Sequence, residues 1–200
     1  MRIAFLGDSL TEGSPGASYF RLLRGRLGAD ELLNRGRAGD SVADLYARIQ
    51  HAGLEPVDLA FIWIGTNDAA AGEWAPWAVG AIEPVTWATT LAHIATVYRR
   101  LLVWVLERAP AVVCVPPAAP DGLGGAWERR VDDLVELVAV AAAFDDRTVL
   151  LDLAPWFAKA RALAGDVRFT IDGVHLSQAG AEVAAAAFAA AVAARAGFAS

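Results

Sequence analysis

The run Leu59-Ala60-Phe61-Ile62-Trp63-Ile64 is apolar at every position. An alternating pattern would indicate a strand with one face in water, whereas an unbroken run indicates a strand covered on both faces, as parallel sheets require. Similar short runs alternate along the chain with longer amphipathic segments, which is the pattern of repeated βα units. The sequence therefore predicts an α/β protein, a three-layer α/β/α sandwich around a mostly parallel five-stranded sheet.

Five strands and five long helices account for most of the chain. The strands are predicted at residues 3–6, 31–34, 59–64, 112–115 and 148–151. The helices are predicted at about 19–27, 42–51, 86–107, 126–143 and 177–196, with Ser177 as N-cap and Gly197 as C-cap of the last one. Segments 72–84 and 116–125 are rich in turn residues, and we expect them to be long loops that contact substrate. The absence of any repeat or linker predicts one domain over residues 1–200.

Composition excludes several classes of protein. The chain has 200 residues, of which 56% are hydrophobic and 20% charged, so a large apolar core is expected and intrinsic disorder is not. The net charge is −6, and the basic residues are scattered in short groups. Nucleic acid is therefore not an expected partner, because binding to phosphates requires a clustered positive face.

Neither a secretion signal nor a membrane span is expected. The first apolar stretch stops at Gly7-Asp8, which is too early for a signal-peptide core. The alanine-rich segment between Glu182 and Arg195 is shorter than the roughly 20 residues that a membrane helix needs. These patterns predict a cytoplasmic protein.

Cysteine and histidine are too few and too dispersed for a metal site. The single cysteine, Cys114, lies in an apolar run and is predicted to be a buried thiol. The three histidines show no zinc-ligand spacing, and the glycines between Gly7 and Gly16 do not form a nucleotide-binding pattern. We therefore expect neither a metal nor another cofactor.

Three polar clusters follow the first three predicted strands: Gly7-Asp8-Ser9, residues 36–41 and Gly65-Thr66-Asn67-Asp68. Open α/β sheets bind ligands at the carboxyl ends of their strands, so these clusters should meet at one edge. Ser9 would stand at the start of a helix, either as an exposed nucleophile or as a plain helix cap. The order Gly-Asp-Ser-Leu differs from the Gly-x-Ser-x-Gly turn of α/β-hydrolases, which disfavours that fold.

The segment Phe5-Leu6-Gly7-Asp8-Ser9-Leu10-Thr11-Glu12-Gly13 resembles the first motif of the GDSL, or SGNH, family of esterases and lipases. Three further motifs similar to those of the family follow in order: residues 34–41, Gly65-Thr66-Asn67-Asp68, and Asp172-Gly173-Val174-His175-Leu176-Ser177. The resemblance extends from residue 1 to about 191. It implies the SGNH-hydrolase fold, with a flavodoxin-like sheet, and the activity of a serine acylhydrolase.

The resemblance also implies a role for each motif. Ser9 would be the acylated nucleophile, and Asp172 with His175 would supply the base that activates it. The backbone N–H groups of Ser9 and Gly39 and the side chain of Asn67 would form the oxyanion hole. Considered alone, Gly39 could be a turn glycine, and Asn67 could tie down its own loop through an Asx-turn.

The other candidate residues have simpler interpretations. His51 and His93 have no aspartate nearby in a turn, so neither is expected to be the base. Asp8 and Asp68 are expected to organise their loops and to take no chemical step.

The chain departs from the family in the insert Glu73-Trp74-Ala75-Pro76-Trp77. Trp74 and Trp77 could line a substrate pocket or merely cover the edge of the sheet. Because bulky aromatic walls leave little room for a long chain, the first interpretation favours short acyl or acetyl esters.

Three functions fit these motifs to different degrees. The first is hydrolysis of small-molecule carboxylic esters through an acyl-enzyme, and the second is acyl transfer by the same triad. A non-catalytic binding module, the third, predicts the loss of a catalytic residue, and none is missing. The sequence does not separate hydrolysis from transfer, and it leaves the oligomeric state open.

Overall fold

A five-stranded parallel sheet forms the centre of the protein. The computed structural model describes residues 1–27, 31–71, 86–122 and 124–196. The strands are β1 (Arg2–Gly7), β2 (Glu31–Gly36), β3 (Leu59–Trp63), β4 (Val112–Val115) and β5 (Thr148–Leu150). They all pair in parallel, in the order β2-β1-β3-β4-β5. This is the flavodoxin-like order, and it confirms the fold class predicted from the sequence.

Eight helices connect or flank the strands in the described residues. They are α1 (Ser9–Glu12), α2 (Tyr19–Arg24), α3 (Val42–Ala52), α4 (Thr66–Ala71), α5 (Trp87–Leu106), α6 (Gly125–Ala142), α7 (Ala154–Ala164) and α8 (Gln178–Ala196). Within the described ranges, no helix combines the length and the apolar character needed to cross a membrane.

Helix α7 was not predicted, because only Phe157 is buried along it and no apolar stripe of helical period results. Two terminal signals were nevertheless present in the sequence. Pro155 stands in the first turn, where its missing N–H costs nothing, and Gly165 follows the last residue. Ser177 caps α8 as predicted, since its Oγ accepts from the N–H of Gly180 at 3.1 Å. The predicted C-cap, Gly197, lies outside the described residues.

Helices cover both faces of the sheet, and alternate residues of each central strand point to opposite faces. In β3, Ala60 and Ile62 belong to the core beneath α3, α5 and α6, whereas Phe61 and Trp63 belong to the core beneath α2, α7 and α8. Strand β3 is buried at every position, which explains its unbroken apolar sequence. Cys114 is buried, as predicted.

The inner face of helix α8 consists mainly of alanine. Ala181, Ala184, Ala185 and Ala187 are completely buried. Phe188 is the large side chain among them, and its ring centroid lies 4.9 Å from that of Phe61, with Phe5, Tyr19 and Trp63 also within 6 Å. Burying a phenylalanine of this kind contributes roughly 1.5–3 kcal/mol. The aromatic cluster thus fixes α8, and with it the turn that precedes α8.

Candidate active site

A chain of hydrogen bonds joins Ser9, His175 and Asp172. The Oγ atom of Ser9 lies 3.1 Å from Nε2 of His175, and Nδ1 of His175 lies 2.6 Å from Oδ2 of Asp172. Ser9 begins α1 directly after β1, whereas the other two residues lie in the turn before α8. The sheet therefore brings together residues that are 166 positions apart in sequence. Both distances lie within hydrogen-bond reach, as activation of a serine by a base requires.

Asp172 shapes the turn and also contacts the histidine ring. Its Oδ1 accepts from the backbone N–H groups of Val174 at 3.0 Å and His175 at 2.8 Å. Its Oδ2 contacts the imidazole. One carboxylate thus sets the backbone of the turn with one oxygen and the orientation of the ring with the other.

The charge of Asp172 decides which ring nitrogen carries the proton. Partial burial alone would raise the pKa of Asp172, but the hydrogen bonds from the ring and backbone of His175 and from Val174 outweigh it and lower the pKa below its ordinary value. The carboxylate is therefore ionised at neutral pH and can only accept hydrogen bonds. In the neutral ring, Nδ1 then carries the proton, and Nε2 is left to accept from the Ser9 hydroxyl.

Ser9 is held on a short helix whose N-cap is Asp8. Oδ1 of Asp8 accepts from the N–H of Leu10 at 3.0 Å, so Asp8 organises the loop as predicted. Burial raises the pKa of Asp8 to about 7, and the hydrogen bond from Leu10 offsets only part of that effect. Ser9 itself is buried apart from a 6% exposed fraction.

The loop that contains Gly39 runs beside the start of α1. The N–H of Arg37 donates to the carbonyl of Gly7 at 3.1 Å, and the N–H of Ala38 donates to Glu12 at 2.8 Å. Gly39 has a φ of +83°, which side-chain-bearing residues adopt with strain. No described atom lies within 4 Å of where its β-carbon would stand, so the space on that side of Gly39 is open.

Asn67 reaches across to this loop. Its Nδ2 donates to the carbonyl of Asp40 at 2.9 Å, so the amide binds a neighbouring loop. An Asx-turn would instead bind the backbone of its own loop. An amide nitrogen carries two N–H donors, and the contact with Asp40 occupies one of them.

Sequence reasoning did not find the ion pair that supports the Gly39 loop. Arg48 of α3 donates to Oδ2 of Asp40, with Nε at 2.7 Å and Nη2 at 2.6 Å, and also to the carbonyl of Arg35 at 3.0 Å. Asp40 is 5% exposed, and burial raises its pKa despite the hydrogen bond from Arg48. No motif in the sequence marks this pair, because its members lie on different elements.

Asp68 connects α4 to the start of α3. Its Oδ2 accepts from the N–H of Val42 at 3.0 Å, which is an organising contact of the kind predicted. Burial raises the pKa of Asp68 to about 7, and its backbone hydrogen bonds lower it only in part.

The remaining predictions concern the other two histidines and the two tryptophans of the insert. Of the three histidines, His175 is the one in hydrogen-bond contact with Ser9, whereas His51 and His93 lie in α3 and α5. Trp74 and Trp77 lie outside the described residues, so their proximity to Ser9 stays a prediction.

The four motifs belong to a known family. The model of the GDSL-like lipase/acylhydrolase family matches residues 5–183 of the chain. The chain belongs to this family. The resemblance seen in the sequence is thereby confirmed, and membership in the GDSL family makes the protein a carboxylic ester hydrolase. No curated protein matches the chain.

Solved structures share its fold. LAE5, an alpha/beta hydrolase enzyme from the metagenome of Lake Arreo, Spain, is 23% identical with a TM-score of 0.76, and the match covers 95% of this chain and 94% of LAE5. Axe2, an acetylxylan esterase from Geobacillus stearothermophilus, is 22% identical with a TM-score of 0.73, and the match covers 94% of this chain and 91% of Axe2. At these identities, the likeness demonstrates a common fold.

Proposed function

We propose that this GDSL-family hydrolase cleaves carboxylic esters through an acyl-enzyme on Ser9, with His175 as the base and Asp172 as the acid that orients it. The observation that carries the proposal is the hydrogen-bonded chain of 3.1 Å from Ser9 to His175 and 2.6 Å from His175 to Asp172. It stands at the carboxyl edge of a parallel sheet, where α/β proteins bind their ligands.

In the first half-reaction, Oγ of Ser9 attacks the ester carbonyl carbon while Nε2 of His175 takes the hydroxyl proton. The carbonyl oxygen becomes an oxyanion in the tetrahedral intermediate. When the intermediate collapses, the ester C–O bond breaks, and His175 gives its proton to the leaving alcohol. A water molecule then attacks the acyl-enzyme with His175 again as base, which releases the carboxylic acid and restores Ser9.

The oxyanion is bound by the backbone N–H groups of Ser9 and Gly39 and by the second N–H of Asn67. Support comes from the open space beside Gly39 and from the contact of Asn67 with Asp40, which brings the amide to the same loop. Each such donor stabilises the transition state by about 2.7–4 kcal/mol in serine hydrolases of known energetics.

The catalytic variants of Axe2 support the same assignment. Its described catalytic mutants replace a serine, a histidine or an aspartate with alanine, and the aspartate precedes the histidine with the spacing of Asp172 and His175. For the substrate, we propose short-chain acyl or acetyl esters. Trp74 and Trp77 in the insert favour a confined pocket, and Axe2 acts on an acetylated carbohydrate.

Covalent labelling of Ser9 tests the proposal. A serine-directed phosphonate should add to Ser9, as located by mass spectrometry, and Ser9→Ala should lose turnover by roughly six orders of magnitude. Ser14→Ala is the matched control, since Ser14 is an exposed serine just after α1. An adduct on another residue, or substantial activity in Ser9→Ala, would refute the assignment.

A further inference from the structure

An aspartate outside the four motifs holds the backbone next to the triad. Asp121 lies in the loop after β4, and its Oδ2 accepts from the N–H of Phe169 at 3.0 Å, the N–H of Thr170 at 2.8 Å and Oγ1 of Thr170 at 2.6 Å. These partners lie 48 and 49 positions further along the chain, just before the turn with Asp172 and His175. A loop expected to contact substrate therefore contacts the acid–base turn.

Thr170 passes this contact into the turn itself. Its hydroxyl donates to Asp121 and accepts from the N–H of Gly173 at 3.1 Å. Gly173 follows Asp172 directly. Thr170 also forms an antiparallel bridge with Leu176, which closes the turn at its base. A continuous path of hydrogen bonds thus runs from the Asp121 carboxylate to the residue beside the catalytic acid.

Arg161 of α7 holds Asp121 from the other side. Its guanidinium binds Oδ1 of Asp121, donates to the carbonyls of Pro120 at 2.9 Å and Val167 at 3.1 Å, and stacks over the Phe169 ring at 4.7 Å. Burial alone would raise the pKa of Asp121, but the hydrogen bonds from Thr170, Phe169 and Arg161 together lower it. The acceptor is therefore a charged carboxylate, which binds N–H and O–H donors more strongly than a neutral oxygen does.

On its side away from Asp121, the segment of residues 169–170 packs closely against α8. A β-carbon at Gly180 would overlap the carbonyl oxygen of Phe169, so α8 lies directly against this backbone. The N–H of Ser177 also donates to that carbonyl, at 2.9 Å. Asp121 thus fixes one side of the segment while α8 fixes the other.

We propose that Asp121 is a positioning residue for ester hydrolysis: through Thr170, it holds the turn of Asp172 and His175 where Nε2 reaches the Ser9 hydroxyl. The inference rests on the proposed function of that triad. Asp121 touches no reacting atom, and its effect is transmitted by the backbone of the turn. When Asp121 is replaced, the turn keeps its contacts with α8 and its hydrogen bond from the N–H of Ala17 to the Leu176 carbonyl. The protein should therefore still fold, but with His175 displaced.

The test compares Asp121→Asn with Asp145→Asn. An asparagine at position 121 has one acceptor oxygen, so its NH2 group must face either the donors of Phe169 and Thr170 or the guanidinium of Arg161. Asp145 is the matched control, because it also pairs with an arginine, Arg147, but stands before β5, at the opposite edge of the sheet.

For Asp121→Asn, we expect kcat for a short-chain ester to fall by up to about 100-fold with little change in KM, because a misplacement of about 1 Å has a cost of this order. Asp145→Asn should keep the wild-type kcat. Both are measured well below the melting temperature of each variant. A kcat of Asp121→Asn equal to that of wild type would overturn the proposal.

Thr170→Val and Thr170→Ser test the contact between Asp121 and Thr170 by changing Thr170. They decide whether this contact positions the turn even if Asp121→Asn does not fold. Valine keeps the volume but removes the hydroxyl, whereas serine retains it. We expect Thr170→Val to lower kcat and Thr170→Ser to restore it. Equal kcat values for the two variants would contradict the proposed path.

A spectroscopic measurement separates this inference from the proposed function. The Nδ1 proton of His175, hydrogen-bonded to Asp172, should give a low-field proton NMR signal that His175→Ala lacks. Asp121→Asn should shift or broaden it, and Asp145→Asn should not. If wild type shows the signal and this response but hydrolyses no ester, the proposed function fails, whereas the link from Asp121 to the position of His175 stands. If wild type is active and Asp121→Asn changes neither the signal nor kcat, the positioning role fails alone.

Discussion

The free energy of unfolding should fall as the pH rises, because Asp68 ionises, and replacement of Asp68 by asparagine should prevent this decrease. Asp68 is 8% exposed, and burial raises its pKa from 3.8 to about 7. Between these values, the folded protein keeps a proton that the unfolded chain has released, so the free energy of unfolding falls with rising pH. A shift of about three units at about 1.4 kcal/mol per unit amounts to about 4 kcal/mol, fully lost above neutral pH.

Asparagine keeps the shape, and its oxygen can still accept from the N–H of Val42. Because it does not ionise, the gain of Asp68→Asn over wild type should grow by roughly 3 kcal/mol between about pH 5 and pH 8. Asp8, whose pKa is also about 7, is present in both proteins, but the charge of Asp68 is one of the causes that raise it. Asp68→Asn should therefore also lower the pKa of Asp8, which adds to the gain in the same direction.

Urea unfolding at the two pH values measures this difference, with equal m-values as the sign that both proteins expose the same surface. Asp132→Asn is the control, because Asp132 is exposed on α6 and should follow the wild-type pH dependence. A difference between Asp68→Asn and wild type that is the same at both pH values would refute the reasoning.

Three further predictions concern catalysis. His175→Ala should abolish turnover while His51→Ala retains it, because His175 is the histidine in hydrogen-bond contact with Ser9. Equal losses in both variants, measured by steady-state kinetics, would contradict the base assignment. Asn67→Ala should lower kcat by roughly 100- to 1,000-fold with a smaller effect on KM, and an effect on KM alone would assign Asn67 to substrate binding. Across a series of esters, kcat/KM should be highest for acetyl and butyryl esters. In Trp74→Ala or Trp77→Ala, the highest kcat/KM should shift to esters of longer chains. A wild-type preference for long chains would exclude the confined pocket.

The strands could be predicted from the sequence because burial on both faces leaves a continuous apolar run, as in β3. The prediction of 59–64 for this strand differs from the observed Leu59–Trp63 by one residue. Helix α7 could not be found by the same reasoning. It buries only Phe157, so its sequence has no period that distinguishes it from a loop.

The candidate site shows the same contrast between local and distant information. Ser9, Asn67 and the pair Asp172 and His175 could be proposed because each lies in a short motif with its own spacing. Asp121 stands in a segment rich in turn residues, and its partners lie nearly 50 positions away. Only the fold makes that distance short, so no local pattern could have indicated the contact.

The contact between Ser9 and His175, which spans 166 positions, has a consequence for how the activity arises during folding. Closing so long a loop costs more chain entropy than any local contact, and contacts of high sequence separation slow folding. During synthesis, β1 and Ser9 leave the ribosome long before the turn that contains His175 has been made. On the proposed mechanism, the nascent chain holds the Ser9 hydroxyl without its base, and ester hydrolysis begins only once α8 has packed against the first strand.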